Sequence, residues 1–399
     1  MSADQTIGDF VTLQRGRTYK GPLVGSPGPA LLGLGSIVPG GGFRNDYKTY
    51  GGDCPPELML MPGDLYVSLK GATKDGDMIG SIARVPSWVP SGRLTQDTVK
   101  LVHRARDEQF EHYLYWLLRT PDYRKYCAGR ATGSAVAALS RDDFLAFPVP
   151  PLTASRSRIV AILLDIEDKV ESNRRAQRNI SSLVDALAQK LLGETETSTV
   201  FLHEVVDFNR LTYRPGDPDA PLTYIDIASV SPGRVDEVSM TTWGEAPSRA
   251  RRGVRDGDVI YSTVRPGRRS YSLILDPDDS VVVSTGFAVM SPSTCIGTSL
   301  LATVAGSAEF AAYLESVAHG SAYPAVSVEA MGNYALEVPA DLAVVERFEA
   351  STMPMRRRSH QMDGESSTLE GLRDVLLAEL ISDGIRGPNA EEVVSGVRL

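Results

Sequence analysis

Residues 121–140 read PDYRKYCAGRATGSAVAALS, and residues 308–327 read AEFAAYLESVAHGSAYPAVS. The two stretches align without a gap at an offset of 187 residues and are identical at seven positions. The identities include a Gly-Ser-Ala run that begins at Gly133 and again at Gly320. Solenoid proteins repeat with a period of about 20 to 50 residues, so this repeat is far too long for one. It predicts two tandem homologous domains.

Other elements recur in the same order on either side of this repeat. Residues 62–68 read PGDLYVS and residues 256–262 read DGDVIYS, so a Gly-Asp turn leads into a short β-rich run in each half. Each half then reaches a Val-Pro pair, at residues 149–150 and 338–339, and continues into a long segment with helical spacing. The predicted order is therefore globular unit, helix, globular unit, helix.

The central helix is predicted from a stretch without Gly or Pro between residues 154 and 192. Its apolar residues recur in alternating steps of three and four, which is typical of a coiled-coil seam. Two polar residues share the seam, and such residues lower stability but fix register. The predicted seam comprises Ile159, Leu163, Ile166, Val170, Asn173, Gln177, Ile180, Val184, Leu187 and Leu191.

A second long helix is predicted near the C-terminus, with seam residues Leu369, Leu376 and Leu380 at an offset of 189 from the central helix. Pro354 and Gly364 predict that this helix is broken. Each helix could pack on its own domain, or the two could pair with each other. We favour antiparallel pairing, because each apolar seam is longer than the stretch of helix that one small domain could bury. Such pairing would relate the globular units by a pseudo-twofold axis.

The fold class predicted from these patterns is α+β. Two tandem β-rich α/β domains are separated by two long antiparallel coiled-coil helices. The expected boundaries are residues 1–151 and 194–340 for the domains, 152–193 and 341–384 for the helices, and 385–399 for a flexible tail.

Composition excludes several classes of protein. The chain is 42% hydrophobic and 23% charged, which is a globular composition. It contains no run of 18 apolar residues, so no membrane span is predicted. Three scattered cysteines argue against a disulfide framework and lead us to expect a cytoplasmic protein. The histidines and cysteines never reach metal-ligand spacing, and no Gly-Lys pair forms a P-loop. We expect no metal site and no catalytic residues.

The net charge of −9 by itself argues against nucleic-acid binding, but an average over the chain can hide a local basic patch. The first globular unit carries a net +2 and the second a net −7, but residues 249–271 hold seven arginines against two aspartates. Guanidinium groups on a turn can bind phosphates or guanine edges. The candidate DNA-binding residues of the second unit are Arg249, Arg251, Arg252, Arg265, Arg268, Arg269 and Tyr271.

The first unit carries a looser basic set: Arg15, Arg17, Lys20, Arg44, Lys48, Lys70, Lys74, Arg84 and Arg93. Lys70 and Lys74 follow the Gly-Asp-strand run where the arginine-rich turn follows it in the second unit. Ser134, Ser321 and Tyr323 in the Gly-Ser-Ala loops are further candidates, although these loops could simply be close-packed turns. The basic residues could be a solvated charged face, but we favour a shared nucleic-acid-binding edge, with Arg15, Arg17, Lys20, Lys70, Lys74 and Arg93 as candidate contacts.

The doubled pattern resembles the specificity subunit of type I restriction-modification systems. Each unit closes with Gly-Ser-Ala-x-x-Ala-[Leu/Val]-Ser, a Val-Pro pair and a heptad helix, and the resemblance covers residues 8–383. It implies that each unit is a target recognition domain for one half of a split site in double-stranded DNA. It also implies that the helices set the gap between half-sites and dock two methyltransferase subunits, through which motor-nuclease subunits join. S-adenosylmethionine, ATP and Mg²⁺ are then expected only on those partners, and this subunit needs no cofactor.

Two alternatives stay open. One is a protein-interaction scaffold of a defence complex with no base-specific DNA reading, in which the coiled coil is a dimeriser. The other is a self-contained restriction-methylation enzyme, which the lack of an Asn-Pro-Pro-aromatic motif disfavours. From the acidic net charge we expect the chain alone to bind DNA weakly and to bind well in an assembled complex.

Overall fold

The computed structural model describes residues 5–71, 76–133, 137–214, 216–320 and 323–380. The chain divides into two compact units. The first comprises residues 1–170 and 367–399, and the second comprises residues 171–366. Each unit therefore contains a β-rich part and a segment of both long helices.

The first unit contains two sheets and four short helices, followed by the start of a long helix. Its strands are β1 (Val11–Arg15), β2 (Ala30–Leu32), β3 (Met59–Leu60), β4 (Leu65–Ser68), β5 (Ile82–Arg84), β6 (Gly92–Leu94) and β7 (Thr98–His103). Its helices are α1 (Ile7–Phe10), α2 (Glu108–Leu117), α3 (Pro121–Arg130), α4 (Arg141–Leu145) and the long α5 (Ala154–Glu194), which continues into the second unit. The antiparallel sheet has the order β1-β7-β4-β5, and the smaller sheet has the order β2-β6-β3.

Strand β4 is buried on both faces because successive side chains of a strand point to opposite sides. Leu65 and Val67 pack into one core with the aromatic residues of α2. Tyr66 faces the other way, into a second core formed with the smaller sheet. The antiparallel sheet is thus the middle layer of the first unit.

The second unit repeats this plan with additions. Its strands are β8 (Thr197–Phe201), β9 (Val206–Phe208), β10 (Pro221–Ile225), β11 (Val230–Ser231), β12 (Arg234–Val235), β13 (Ser239–Thr242), β14 (Ala250–Gly253), β15 (Val259–Ser262), β16 (Tyr271–Leu273), β17 (Val281–Ser284), β18 (Phe287–Pro292) and β19 (Ala335–Pro339). Its helices are α6 (Leu202–Val205), α7 (Thr298–Gly306), α8 (Ala308–Ser316), α9 (Val328–Gly332) and α10 (Leu342–Glu379), whose end belongs to the first unit.

The antiparallel sheets of the two units correspond strand for strand. The order β9-β18-β15-β16 matches β1-β7-β4-β5. The second sheet of the second unit, β13-β10-β17-β14, contains the pattern of β2-β6-β3, with a parallel pair and an antiparallel neighbour, and adds strand β13 at its edge. The predicted α+β fold class, with two β-rich domains and long helices, is confirmed.

The repeat extends to hydrogen bonds that begin the short helices. Thr120 and Ser307 each accept a bond from a backbone N–H three residues later, which caps α3 and α8. Ser140 and Ser327 cap α4 and α9 in the same way. These four caps explain why the aligned stretches of the sequence adopt the same local structure.

In the first unit, the start of α5 packs against the end of α10. Arg156 Nε donates to the carbonyl oxygen of Leu380 at 3.0 Å. The seam residues from Ile159 to Val170 are at most 6% exposed and share one core with Leu369, Leu376 and Leu380. Because the first turn of one helix meets the last turn of the other, the two segments are antiparallel.

In the second unit, the polar seam residues of α5 bind α10. Asn173 is 3% exposed, and its amide donates to Glu365 Oε2 at 3.0 Å and Ser366 Oγ at 3.2 Å. Gln177 Nε2 donates to the carbonyl oxygen of Ser359 at 2.9 Å. The later residue of α5 contacts the earlier residue of α10, so the pairing is antiparallel here too. The remaining α5 seam residues pack in the second unit's core.

The predicted break in the C-terminal helix is wrong, because α10 runs without interruption from Leu342 to Glu379 with Pro354 inside it. Proline removes one backbone donor and costs about 3 kcal/mol in a helix interior. Buried residues on both sides of Pro354, with Thr352 before it and Leu369 after it, hold the helix in place. Packing of the seam therefore outweighs the local preference against helix.

Candidate nucleic-acid interface

The arginine turn, defined here as residues 265–269, connects β15 to β16. A 3₁₀ turn covers Pro266–Arg268, and the arginines on either side of it both have left-handed backbone, with φ of 51° at Arg265 and 55° at Arg269. This conformation costs a non-glycine residue about 1 kcal/mol or more. Strained backbone of this kind concentrates at functional sites, so the arginine turn is a candidate for binding rather than for stability alone.

The arginine turn is held against the second Gly-Ser-Ala loop. The backbone N–H of Arg265 donates to the carbonyl oxygen of Pro324 at 2.7 Å. The Arg265 guanidinium lies 4.5 Å from the ring centroid of Tyr323, which is 69% exposed. An aromatic ring under a cation fixes the direction of its donors while leaving the outer edge open. Arg265 is thus oriented before any ligand arrives.

The other two arginines of the turn differ in exposure. Arg268 is exposed and forms no ion pair among the described residues. Arg269 is half-buried, and its guanidinium donates to the carbonyl oxygen of Gly306 at the end of α7. A cavity of about 460 Å³ opens beside the turn and is lined by Arg265, Pro266, Gly267, Arg268, Glu315, Ala318 and Pro324. Arg265 and Arg268 therefore present charge to a ligand, whereas Arg269 mainly holds the turn.

The side chain of Glu315 on α8 lies close to Gly267. A Cβ atom at this position would lie 1.7 Å from Glu315 Oε1. A larger residue in the turn would therefore displace the Glu315 side chain.

In the first unit, the segment that follows β4 begins with the same hydrogen bond and bridge as the segment that follows β15. Ser68 Oγ donates to the carbonyl oxygen of Lys70, as Ser262 Oγ does to that of Val264, each at 2.7 Å. Lys70 forms a bridge with Ala138, as Val264 does with Ala325. Lys70 is exposed and lies 3.1 Å from Asp97, with which it forms an ion pair. The two segments therefore begin alike, with Lys70 in the place of Val264, and the charge of Lys70 is partly neutralised.

The arginines in and next to β14 differ in exposure, because Arg249 is exposed whereas Arg251 and Arg252 are half-buried. Arg249 is exposed and binds Asp226 at 2.6 Å, and its carbonyl oxygen accepts from the backbone of Thr285. The next residue, Gly286, accepts from the backbone of Thr263, so Arg249 and the arginine turn are linked through one tight turn. Arg251 and Arg252 are adjacent half-buried residues of β14, where the register of pairing with β17 shifts between Ala250 and Arg252.

Two predicted contacts are corrected by their burial. Arg93 is 4% exposed, and its guanidinium donates to the carbonyl oxygens of Asp53, Arg17, Leu94 and Thr18. Tyr271 is half-buried and stacks on Tyr261 with ring centroids 5.7 Å apart, and this burial raises the pKa of its hydroxyl. The Arg93 guanidinium is therefore bound to backbone carbonyl oxygens, and Tyr271 is only partly accessible. The sequence pattern missed this because it counts residue types and not the direction of side chains.

The remaining basic candidates of the first unit lie on its surface. Arg15, Arg17 and Lys20 are exposed, and Arg17 lies 3.4 Å from Glu57. The bonds from Arg93 to the backbone of Arg17 and Thr18 hold the loop that carries these residues. Arg93 therefore positions this basic loop from within. Lys74, Ser134 and Ser321 lie outside the described residues.

Among the described residues, no three or more His, Cys, Asp or Glu side chains are grouped so that they could hold a metal ion. In the same part of the chain, every helix is too short or too polar to cross a membrane.

Known proteins resemble this chain in fold and, over part of its length, in sequence. The crystal structure of a type I restriction-modification S subunit from M. genitalium superposes with a TM-score of 0.62 at 14% identity, and covers 96% of both chains. The chain has the fold of a type I S subunit. The resemblance predicted from the sequence motifs is thereby confirmed.

The sequence comparison is narrower. The specificity subunit of the type I restriction enzyme HindI from Haemophilus influenzae is 24% identical over 163 residues. The matched stretch is 37% of this chain and 35% of that protein, so it spans well under two thirds of the relative. The HsdS subunit from Thermoanaerobacter tengcongensis aligns over 95% of this chain, at 17% identity and a TM-score of 0.32. No family model matches the chain.

Sequence reasoning missed the ionic residues that attach each β-rich domain to a long helix. Arg84 was grouped with the exposed basic residues, but it binds Glu167 of α5 at 2.7 Å. Arg356 of α10 is bound to α7 in the second unit. A signal existed, since Glu167 and Arg356 are 189 residues apart, the same offset that relates the seams.

Proposed function

We propose that this chain is the DNA sequence-specificity subunit of a type I restriction-modification complex. In this proposal, residues 1–151 and 194–340 are target recognition domains that each read one half of a bipartite site in double-stranded DNA. The helices at 152–193 and 341–384 act as the spacer that separates the two readings. The subunit is non-catalytic and directs enzymes that bind to it.

The observation that carries the proposal is the duplicated turn beside each Gly-Ser-Ala loop on an S-subunit fold. In the second unit this turn presents Arg265 and Arg268, the first oriented by Tyr323. Oriented guanidinium groups suit bidentate binding to guanine in the major groove, and a free guanidinium suits a phosphate. The equivalent turn of the first unit presents Lys70, which suits a phosphate.

The two half-sites are expected to differ in sequence. The units share a sheet order, but the second adds strand β13 and the β11-β12 hairpin, and its turn carries arginines instead of lysine. Two reading surfaces with different side chains recognise different bases. The target is therefore expected to be an asymmetric bipartite sequence.

The partners follow from the same proposal. Two methyltransferase subunits would dock on the long helices, and motor-nuclease subunits would join through them. S-adenosylmethionine, ATP and Mg²⁺ would be bound by those partners. The net charge of −9 supports a division of labour in which partner subunits supply much of the phosphate binding.

The decisive experiment is to map methylated bases in a host that carries this chain with its methyltransferase partner. The expected result is one split motif that is absent without this chain. If methylation is unchanged when the chain is deleted, or if the motif is continuous, the proposal is wrong.

Gel-shift titration of the assembled complex tests the assigned surface. Substituting Arg265, Arg268 and Arg269 together by Ala should lower affinity for the mapped target, and Arg268→Ala alone should reduce the salt dependence by about one phosphate contact. Arg210→Ala is the matched control, since Arg210 is an exposed arginine of the second unit that is paired with Asp207 and is not a candidate contact. Full DNA affinity in the triple variant would exclude the arginine turn. Sequence-independent binding by the wild-type complex would favour the protein-interaction scaffold instead.

A further inference from the structure

Each β-rich domain is attached to a long helix by a part-buried polar contact that we call its anchor. The first anchor, within the first unit, centres on Glu167 of α5. Its carboxylate accepts from Arg84 Nη2 at 2.7 Å, Arg119 Nη1 at 2.9 Å and Tyr115 Oη at 2.7 Å. The Arg119 side chain is 8% exposed and lies over the ring of Trp116 at 4.3 Å. An acidic group on the helix is thus bound by basic groups on the domain.

The second anchor, within the second unit, has the opposite polarity. Arg356 of α10 donates from Nε to Ser299 Oγ at 2.7 Å, and from Nη2 to the Ser299 carbonyl oxygen at 2.8 Å and Thr303 Oγ1 at 2.7 Å. Glu349, two turns earlier on α10, accepts the backbone N–H groups of Ser299 and Leu300. These groups lie at the start of α7, where the N-cap residue, Gly297, has no side chain to accept them.

The repeat places these helix residues at equivalent positions. At the offset of 189, Glu167 corresponds to Arg356 and Val160 corresponds to Glu349. On the domain side, the offset of 187 makes Arg119 correspond to Gly306. The two copies therefore differ on the helix side and on the domain side, and in each copy the charged helix residue has a partner on its own domain.

We propose that Glu167 and Arg356 are positioning residues that make the two domain-helix pairs non-interchangeable. The first domain on the face of α10 would place Arg84 and Arg119 against the Arg356 guanidinium. The carboxylates that act on that guanidinium, Glu349 and Asp185, are too few to neutralise three cations. The second domain on the face of α5 would lose the carboxylate of Glu349 at the start of α7 and place Glu167 near backbone carbonyl oxygens. Uncompensated buried charge is strongly destabilising, so each domain selects its own helix.

This selection matters because the chain contains two domains of the same fold. Without it, either domain could dock on the wrong helix segment of its own chain or of a second copy. The inference rests on the duplicated architecture and on the anchors, not on DNA recognition. A negative result for the anchors would therefore leave the proposed function unaffected, and the reverse also holds.

The test swaps the anchor residues of α5 and α10 by substitution in the purified full chain. Amide hydrogen exchange is then measured in α2 and α7. Val160→Glu with Glu167→Arg gives α5 the residues of α10, and Glu349→Val with Arg356→Glu gives α10 those of α5. We expect the first double variant to lose about tenfold protection in α2 while α7 is unchanged, and the second to show the reverse. Arg178→Ala breaks an exposed ion pair with Glu171 on α5 and is the control, with no change expected in either helix.

A rescue variant distinguishes charge complementarity from a general loss of packing. Adding Arg84→Glu to Glu167→Arg restores one ion pair with reversed polarity, so protection of α2 should partly return. If the double variants fail to fold, Glu167→Gln and Arg356→Lys keep the size of each side chain and should give smaller losses in the same helices. Unchanged protection in both helices, equal losses in both, or failure of the rescue would overturn the proposal.

Discussion

The two β-rich domains keep the same main-chain framework but differ in the charged side chains placed on it. Ser68 and Ser262 make the same hydrogen bond behind the turn, and Tyr126 and Tyr313 donate to the carbonyl oxygens of Asp143 and Ala330 at 2.6 and 2.7 Å. The framework is retained because each bond satisfies a backbone group that the fold would otherwise bury unpaired. Surface charge carries no such requirement and is free to diverge.

The difference is largest at the turn proposed to bind DNA and at the contacts with the long helices. The first domain presents Lys70 paired with Asp97, whereas the second presents Arg268 with no ion pair among the described residues. The anchors have opposite polarity, with an acid on α5 and a base on α10. A charged contact can change sign without harm to the fold if both sides change together. The comparison thus separates positions that specify the fold from positions that specify the partner.

The largest expected effect is at the equivalent seam positions Leu163 and Thr352, both fully buried. Leu163→Ala removes apolar contacts in the first unit and should lower the free energy of unfolding by about 2 to 5 kcal/mol. Thr352→Ala removes a small side chain that bonds the Phe348 carbonyl oxygen, and should cost about 1 kcal/mol. Chemical denaturation followed by hydrogen exchange measures both losses. Equal losses would show that the two seams are packed alike.

Arg265→Gly should have opposite effects on binding and on stability. Glycine tolerates the positive φ, so the free energy of unfolding should rise by about 1 kcal/mol, while affinity of the complex for its target should fall by about tenfold or more. Lys70 does not have positive φ, so Lys70→Gly should lower both quantities. Thermal denaturation and gel-shift titration give the two readouts. A loss of stability in Arg265→Gly would contradict the assignment of strain to this residue.

The hydrogen bonds donated by Tyr126 and Tyr313 should contribute equally to the free energy of unfolding of their domains. Tyr126→Phe and Tyr313→Phe each remove one hydrogen bond to a backbone carbonyl, and each should cost about 1 kcal/mol. Local hydrogen exchange near α4 and α9 measures the two costs separately. A large difference between the two variants would show that the framework is less conserved than the bonds indicate.

The smallest expected effect is a pH dependence specific to the second anchor. Burial raises the pKa of Glu349, although the bonds from Ser299 and Leu300 and the nearby Arg356 oppose this. An acid whose pKa is higher in the folded state ionises first in the unfolded chain, so it destabilises the fold as the pH rises through the interval between the two pKa values. Burial also raises the pKa of Asp185, which acts in the same direction.

Glu349→Gln should therefore weaken the decline in stability of the second unit between about pH 4.5 and neutral pH, by less than about 1 kcal/mol. Protection of α7 from hydrogen exchange, corrected for the intrinsic effect of pH, is the measurement. A steeper decline in the variant would show that the carboxylate stabilises the ionised anchor.

Much of the fold could be predicted because it depends on periodic or repeated patterns. The repeat around Gly133 and Gly320 predicts two related domains, and the heptad spacing predicts α5 within about two residues of its observed ends. The continuity of α10 could not be predicted from Pro354 alone, because long-range packing outweighs a local cost. The candidate site was predicted only in part. Arg265 and Arg268 face outward, whereas Arg93 and Tyr271 are held within their domains.

The sequence by itself determined that the chain is duplicated, that its halves are β-rich, and that each half ends in a heptad helix. Spacing is a local property, so it can be read without coordinates. Only the tertiary structure decided which charges are used inside the protein and which face outward. Glu167 and Arg356 find their partners on residues far away in the sequence, and burial of such pairs depends on how distant segments pack.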